Sequence, residues 1–451
     1  MSERAKQVLK YFEEQKDFFN ARVKNGIELY RKGTARIRVV DENGEPVKGA
    51  VIEAKQMGHD FRFGSNLFHL DELETPEKNE RYKEKFAGLF NQATLPFYWN
   101  TLEPEQGKPR YPKDSPKVYR RPAPDLAIEY CREKGIEPKL HCLNYDQYTP
   151  DWARNCSTVK EYKEHLSERF RQIGERYAKL IPMIEVTNES FLTSNDGQVG
   201  TPFFWDDDFL EWSYLEAKKY FPANELVINE AGMQWDSPNA HTNRNPYYMQ
   251  IEKLLQKNIP LHGIGLQYHS IYPREDEIKT LVKRDGRYSP MYMYAVMDKL
   301  SELNLPLQIT EITIPAYSCE EEDEALQAEM IKNVYSMFFS QKNMEGVIYW
   351  NIPDGYHHGA TPGDMTSGWN YFHGGLLRFD MSEKPAYKTL HKLIHEDWTT
   401  HAQIVTDEDG YATLRGFHGK YELTVCANEK QSVHAFRMEK CDLNNSVSLS
   451  L

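Results

Sequence analysis

Eight short apolar runs, separated by charge-patterned stretches, occupy the middle of the chain. This alternation restricts the fold more than any other feature of the sequence. The runs are FRFGSNLF (61–68), LFNQATLPFYW (89–99), PKLHCLNY (138–145), IPMIEVTNE (181–189), ELVINEA (225–231), GIGLQYH (263–269), LQITEIT (307–313) and GVIYWNI (346–352). Segments such as SERFRQIGERYAKL and ALQAEMIKNVYSMFF lie between them, with apolar residues near helical spacing. Strand followed by helix, eight times over, predicts an α/β fold: a (β/α)8 TIM barrel over residues 60–398. An open doubly wound sheet is the alternative. It more often carries a Gly-rich phosphate turn after its first strand, and none occurs here.

The two ends read differently. Residues 1–30 are expected to form an amphipathic helix, with Val8, Leu9, Phe12, Phe18 and Phe19 near helical spacing. Residues 31–59 give two strands around the turn DENGEP, and residues 399–451 give short strands broken by Gly and polar turns. These β-rich ends are expected to pack together as a small accessory β-sandwich, more a structural brace than a carbohydrate-binding module.

Composition removes several classes of function. The 55 basic residues against 68 acidic ones leave a net charge of −13, which argues against nucleic acid or an anionic membrane as partner. No apolar stretch of about 18 residues is present to span a membrane. The N-terminus MSERAKQVLKYFEEQKDFFN lacks an apolar leader, so a cytoplasmic location is expected, although a chain from which a leader had been removed would read the same. The six cysteines form no CxxC pair, so a zinc or redox motif is not expected. Aromatic residues are abundant, with 28 Tyr and 8 Trp, and supply flat faces that can stack on sugar rings, bases or apolar ligands.

In a barrel of this kind the active site lies at the C-terminal ends of the strands. There the third run offers His141 and leads to Tyr145 and Asp146. The fourth ends in Asn188–Glu189, the fifth in Asn229–Glu230, and the sixth in Gln267, Tyr268 and His269. The seventh carries Glu311, and the eighth carries Trp350 and Asn351. A pair of glutamates among aromatic residues suits glycoside hydrolysis, in which one carboxylic acid protonates the leaving oxygen and a second carboxylate attacks the anomeric carbon or activates water. The fourth and seventh strands face each other across an eight-stranded barrel. Their carboxyl groups can approach to about 5–5.5 Å, the separation that goes with a covalent intermediate and retention of configuration. The His and Glu residues lack a dense ligand spacing such as HExxH, so neither metal nor organic cofactor is expected.

LHCLNYDQYTPDW, EVTNE, GIGLQYH, ITEIT, GVIYW and KPAYKTL, with LEPEQGK after the second strand, resemble the successive motifs of glycoside hydrolase family 10, the retaining endo-β-1,4-xylanase family of clan A. The resemblance covers about residues 61 to 396. It implies a two-glutamate mechanism, with Glu189 as general acid/base and Glu311 as nucleophile. It implies further that Asn188 holds the sugar 2-hydroxyl, that His269 orients the nucleophile with Gln267 beside it, that His141 contacts the sugar at subsite −1, and that Trp350 walls that subsite. Residue chemistry alone leaves His141 open to a role as a core histidine and Trp350 to plain barrel packing. Glu230, where the family usually has Asp, reads as structural.

The chain departs from the family on the side of the cleft that holds the glycone. After the second strand the family typically carries Glu, Asn and Lys, whereas TLPFYWNTLEPE is shorter and offers Leu95, Pro96, Phe97 and Tyr98. The usual Trp-His after the third strand is Tyr145–Asp146, and the Gln that follows is Tyr148. Tyr98, Tyr145 and Asp146 therefore join the candidate substrate-binding residues, with Asp146 expected to accept from a sugar hydroxyl. The expectation is an exo-acting enzyme for a short or decorated β-linked, xylose-type glycoside. An endo-β-1,4-xylanase and a non-catalytic carbohydrate-binding barrel are the competing readings.

Overall fold

The computed structural model describes residues 2–191 and 200–451. Eight parallel strands close a barrel in chain order: β1 (Arg62–Asn66), β2 (Gln92–Pro96), β3 (Glu137–Asn144), β4 (Met183–Asn188), β5 (Glu225–Glu230), β6 (Gly263–His269), β7 (Leu307–Thr313) and β8 (Met344–Tyr349), with β8 pairing back onto β1. The barrel strands are buried along nearly their whole length, which is why they read as continuous apolar runs without alternation. Connecting helices start where the sequence supplies caps. Thr75 and Thr158 accept from the backbone N–H three residues on, and Pro76, Pro124, Pro246, Pro290 and Pro385 each open a helix. Glu161 accepts from the Ser157 N–H, which completes a reciprocal cap around Thr158.

Strand ends differ from the apolar runs in an informative way. The run 89–99 contributes only Gln92–Pro96 to the sheet, and Trp99 already opens the short helix Trp99–Leu102. β8 stops at Tyr349, so Trp350 and Asn351 lie just beyond it, Asn351 with φ of +68°. Glu189 likewise sits one residue past β4, with φ of +52°. Glu189, Trp350 and Asn351 thus reach the barrel mouth from just past their strands, whereas Asn188, Asn229, Gln267, His269 and Glu311 reach it from within theirs.

The N-terminal stretch is three helices, Glu3–Val8, Lys10–Glu14 and Lys16–Tyr30, interrupted at Leu9 and Gln15. At the second break the Gln15 side chain donates through Nε2 to Ser289 Oγ at 3.1 Å and accepts through Oε1 from the Met291 N–H at 2.8 Å. The two strands that follow, Lys32–Val40 and Val51–His59, each lie between C-terminal strands. The first is flanked by Tyr411–Phe417 and Ser446–Ser450, the second by His401–Val405 and Gly419–Ala427, with Lys430–Met438 beyond. Ile37, Val39, Ile52, Leu414, Leu423 and Val425 form the core between the two sheets. This sandwich sits against the end of the barrel where the strands begin: Phe339 packs on Phe417 with centroids 6.0 Å apart, Arg437 pairs with Asp60 at 2.7 Å, and Lys440 with Glu345 at 2.7 Å. Among the described residues no helix is long and apolar enough to cross a membrane.

Candidate active site at the carboxyl ends of the strands

Glu189 and Glu311 approach the barrel mouth from β4 and β7, and a chain of amides joins them. Asn229 on β5 donates through Nδ2 to Glu311 Oε1 at 3.0 Å and to Asn188 Oδ1 at 2.7 Å. Gln267 on β6 donates through Nε2 to the same Asn188 oxygen at 3.3 Å and to Glu189 Oε1 at 2.9 Å. Asn188 is thus the shared acceptor midway between the carboxylates. Glycine on β6 makes room for this bridge, because a Cβ at Gly265 would stand 2.7 Å from Asn229 Oδ1. Gln267, expected beside the nucleophile candidate, pairs in register with Glu311 and directs its amide to Glu189.

The second oxygen of Glu311 lies 3.1 Å from His269 Nε2, and His269 Nδ1 lies 3.0 Å from the Thr313 hydroxyl. Burial pushes the His269 imidazole down to about 3, so the ring is neutral. When Glu311 is ionised it only accepts, so Nε2–H then donates to it and Nδ1 accepts from the Thr313 hydroxyl. Glu311 is 5% exposed, and burial pushes its carboxyl up to about 8 against the favourable field of His141.

Beneath the mouth lies a buried charge relay that the sequence reading passed over. Lys139 and His141 alternate inward along β3, and Glu185 meets both from β4, at 2.6 Å from Lys139 Nζ and 3.1 Å from His141 Nδ1. Burial pushes the Glu185 carboxyl up, but the Lys139 ammonium and His141 outweigh it and hold the group near 2. The other imidazole nitrogen, Nε2, lies 2.9 Å from the Tyr98 hydroxyl. A Lys and a Glu inside otherwise apolar runs were the available signal, since such charges stay buried only when paired.

Glu189 has a second guard. The Tyr145 hydroxyl donates to Glu189 Oε2, and also lies 2.8 Å from Gln147 Oε1. The left-handed backbone at Glu189, which costs a non-glycine residue about 1–2 kcal/mol, is fixed from both sides. Its own N–H donates to the Asn229 carbonyl at 3.1 Å. Glu230 then grips the following turn, accepting from the Ser190 N–H, from Ser190 Oγ at 2.6 Å and from the Phe191 N–H at 3.2 Å. Burial pushes the Glu230 carboxyl up to about 8.

Aromatic rings wall the mouth on the side of β1, β2, β3 and β8. Phe68 meets Trp350 and Tyr98 edge-on at 5.2 and 5.9 Å, His141 meets Trp350 at 5.5 Å, and Tyr98 packs on Tyr148 at 4.3 Å. Trp350 is 5% exposed, and Trp369 closes over His269 at 5.1 Å. Asp146, expected to accept from a sugar hydroxyl, has a structural partner as well: its carboxylate accepts from the Thr201 N–H at 3.1 Å and from the Thr201 hydroxyl, and lies 3.8 Å from Arg154. Those contacts tie two loops together.

Among the described residues, two groups of side chains have donor atoms within 4.8 Å of one another, as a metal ion would require: His141, Glu185 and Glu311, and Cys156, Glu161 and His165. In the first group Lys139 already supplies the positive charge at Glu185. In the second, Glu161 is engaged as a helix cap.

Comparison with known proteins bears on this arrangement. The family model for glycosyl hydrolase family 10 matches residues 57–393. The anti-sigma-I factor RsgI6 of Acetivibrio thermocellus is 23% identical over 407 residues, covering 88% of this chain and 45% of the relative. Endo-1,4-beta-xylanase 2 of Arabidopsis thaliana is 22% identical over 426 residues, covering 92% of this chain and 34% of the relative. The chain therefore spans less than half the length of these two curated relatives. Xylanase 10B from Thermotoga petrophila RKU-1, solved in complex with xylobiose, superposes with a TM-score of 0.58 at 19% identity, covering 75% of this chain and 95% of that one, a likeness that carries the fold. With the family model spanning most of its length, and an eight-stranded barrel beneath it, the chain belongs to glycosyl hydrolase family 10.

Proposed function

We propose that the protein is a retaining β-glycosidase that removes one sugar, or a short decorated unit, from a β-linked, xylose-type glycoside. The observation that carries this reading is the amide bridge that holds two carboxyl groups from β4 and β7 at one mouth. In this reading the ionised Glu311 attacks the anomeric carbon, while protonated Glu189 gives its proton to the departing oxygen. Glu189 then takes a proton from water, and that water displaces Glu311 from the sugar. Neutral His269 holds the Glu311 rotamer. Asn188, already an acceptor for two amides, takes the sugar 2-hydroxyl in the same oxygen-rich spot. His141 meets the sugar from below, and Trp350 walls it.

Aromatic Tyr98, Tyr145 and Tyr148 where the family carries polar groups on the glycone side, with Phe68 packed beside Tyr98, support a closed pocket over an open cleft. An apolar wall leaves the hydroxyls of a long chain without partners, and burying them so is costly. The test is a screen of aryl β-glycosides (xyloside, glucoside, arabinoside, fucoside, xylobioside) alongside the product profile on unsubstituted β-1,4-xylan. Turnover of a short aryl glycoside above mid-chain cleavage is expected. Mid-chain cleavage of xylan that equals or exceeds it replaces this reading with an endo-xylanase. Sugar binding without any turnover replaces it with a carbohydrate-binding barrel.

A further inference from the structure

Two adjacent arginines at the aromatic side of the mouth lack a counter-charge. Arg120 is 5% exposed and Arg121 is 9% exposed, and neither meets a carboxylate in an ion pair among the described residues. Among the other buried cations, Arg287 pairs with Asp236, Lys139 with Glu185 and Lys384 with Asp354. Arg31, Arg110 and Arg169 spend both their Nε and Nη2 groups on backbone carbonyls. Arg120 and Arg121 fit neither pattern. Arg120 reaches the Tyr356 carbonyl at 3.3 Å and Asn351 Oδ1 at 3.2 Å, both long contacts, and its Nε has no partner. Arg121 donates through Nη1 to the Arg120 carbonyl at 2.9 Å, and its Nε too is unpartnered.

Their placement is as informative as their lack of partners. The Arg121 guanidinium lies 3.9 Å over the Tyr98 ring, 5.3 Å from Phe68 and 5.7 Å from Tyr148, and Arg120 lies 5.7 Å over Phe68. Those rings are the ones that wall the mouth, and the Tyr98 hydroxyl reaches His141. Arg120 holds its position in a left-handed backbone, φ +61°, where its N–H donates to Glu72 at 2.6 Å. Glu72, the nearby acid, is thereby engaged by the main chain; it feels the charge of Arg121 but forms no close ion pair with either guanidinium, and burial pushes its carboxyl up to about 7. Burying two like charges side by side is unfavourable unless an anion joins them. A planar guanidinium presents paired N–H groups that match a carboxylate.

We propose that the glycone pocket takes an acidic sugar, with a carboxylate on the bound unit or on a branch of it, held by Arg121 with Arg120 behind. The charge lies one aromatic ring away from His141, within reach of a substituent or of the next sugar but not of the reacting carbon. This names the decoration left open in the β-glycosidase reading, and rests on it.

The test uses one pair of molecules: a uronic-acid-substituted β-1,4-xylo-oligosaccharide, and the same oligosaccharide with its carboxyl reduced to the alcohol. The wild-type protein is expected to lose about 10²-fold or more in kcat/KM on reduction, in line with sites built around one polar group. Arg121→Lys and Arg121→Gln should each cost more kcat/KM on the acidic oligosaccharide than on its reduced counterpart, so that the ratio between the two falls toward one. Calorimetric binding of the same pair to the wild-type protein reads the preference even if nothing is hydrolysed, so failure of the β-glycosidase reading stays distinct. Equal affinity and equal turnover for the two oligosaccharides overturn the acidic pocket, as does a stronger preference for a sulfated counterpart.

Discussion

The carboxyl group of Glu230 accepts from the backbone N–H and the hydroxyl of Ser190, the residue directly after Glu189. A buried acid one strand away thereby fixes the turn on which the acid/base candidate stands. Burial raises the Glu230 carboxyl to about 8, above its ordinary value near 4.5. A raised group lends stability that is complete below pH 4.5 and is lost as pH climbs through 8. Glu230→Gln keeps an acceptor oxygen for Ser190 and cannot ionise. Thermal melts from pH 5 to 9 should therefore show the wild type losing on the order of 1–3 kcal/mol relative to Glu230→Gln as pH rises. Parallel curves would mean that Glu230 is ionised throughout.

Glu311→Ala should lower kcat by several orders of magnitude, since it removes the group that forms the covalent intermediate, and should leave the circular dichroism spectrum unchanged. Azide supplied to that variant attacks from the vacated face. It should restore part of the activity with an activated aryl glycoside and yield a glycosyl azide of inverted configuration. Near-wild-type activity without azide removes Glu311 from the reaction.

Glu311 must be ionised to attack, and burial raises it to about 8. For an aryl glycoside whose leaving group needs little protonation, kcat/KM should rise with pH along a limb centred near 8 in place of the usual carboxylate range. A limb near pH 4–5 would show that Glu311 is far better stabilised as an anion than its surroundings suggest. The same profile measured in EDTA should be unchanged, because the Glu185 carboxylate beneath the site is already paired with Lys139.

Lys139→Met strands Glu185 without its ammonium and should cost about 3–5 kcal/mol in urea unfolding. The Glu185 carboxyl is depressed to about 2, so its share of the stability is present above pH 4.5 and disappears as pH falls toward 2. The gap between variant and wild type should accordingly narrow in strong acid.

Asp146→Ala should act on the loops more than on sugar choice. It releases Thr201 and Arg154 from a shared carboxylate, so a lower melting temperature with an unaltered ranking of aryl glycosides is expected. Tyr98→Phe removes the hydroxyl next to His141 Nε2 and should reduce kcat/KM for every glycone by about 10-fold or less. A change in glycone ranking on Asp146→Ala, with stability intact, would return Asp146 to the pocket.

Much of this site was legible in the linear sequence because barrel geometry is so regular. Apolar runs fix the strands, strand ends fix the mouth, and Asn188, Glu189, His269 and Glu311 fall there by position alone. What the sequence hid depends on contacts between segments far apart in the chain. Asp146 looks free until Thr201 is seen against it, and Gln267 points to Glu189 because Asn229 already occupies the Glu311 side. Arg120 and Arg121 sit in the long polar stretch 103–123, where no periodicity marks a residue as buried. Their neighbours Phe68, Tyr98 and Asn351 come from three separate strand ends.

The interleaving of the two chain ends in the sandwich sets an order of events during synthesis. Strands Lys32–Val40 and Val51–His59 leave the ribosome early, yet every strand that flanks them in the sheets comes from beyond residue 400. At a translation rate of about 5–20 residues per second, they wait roughly 20–70 s while the whole barrel is made. Through that interval both strands have bare edges, open to pairing with a neighbouring nascent chain or to shielding by a chaperone.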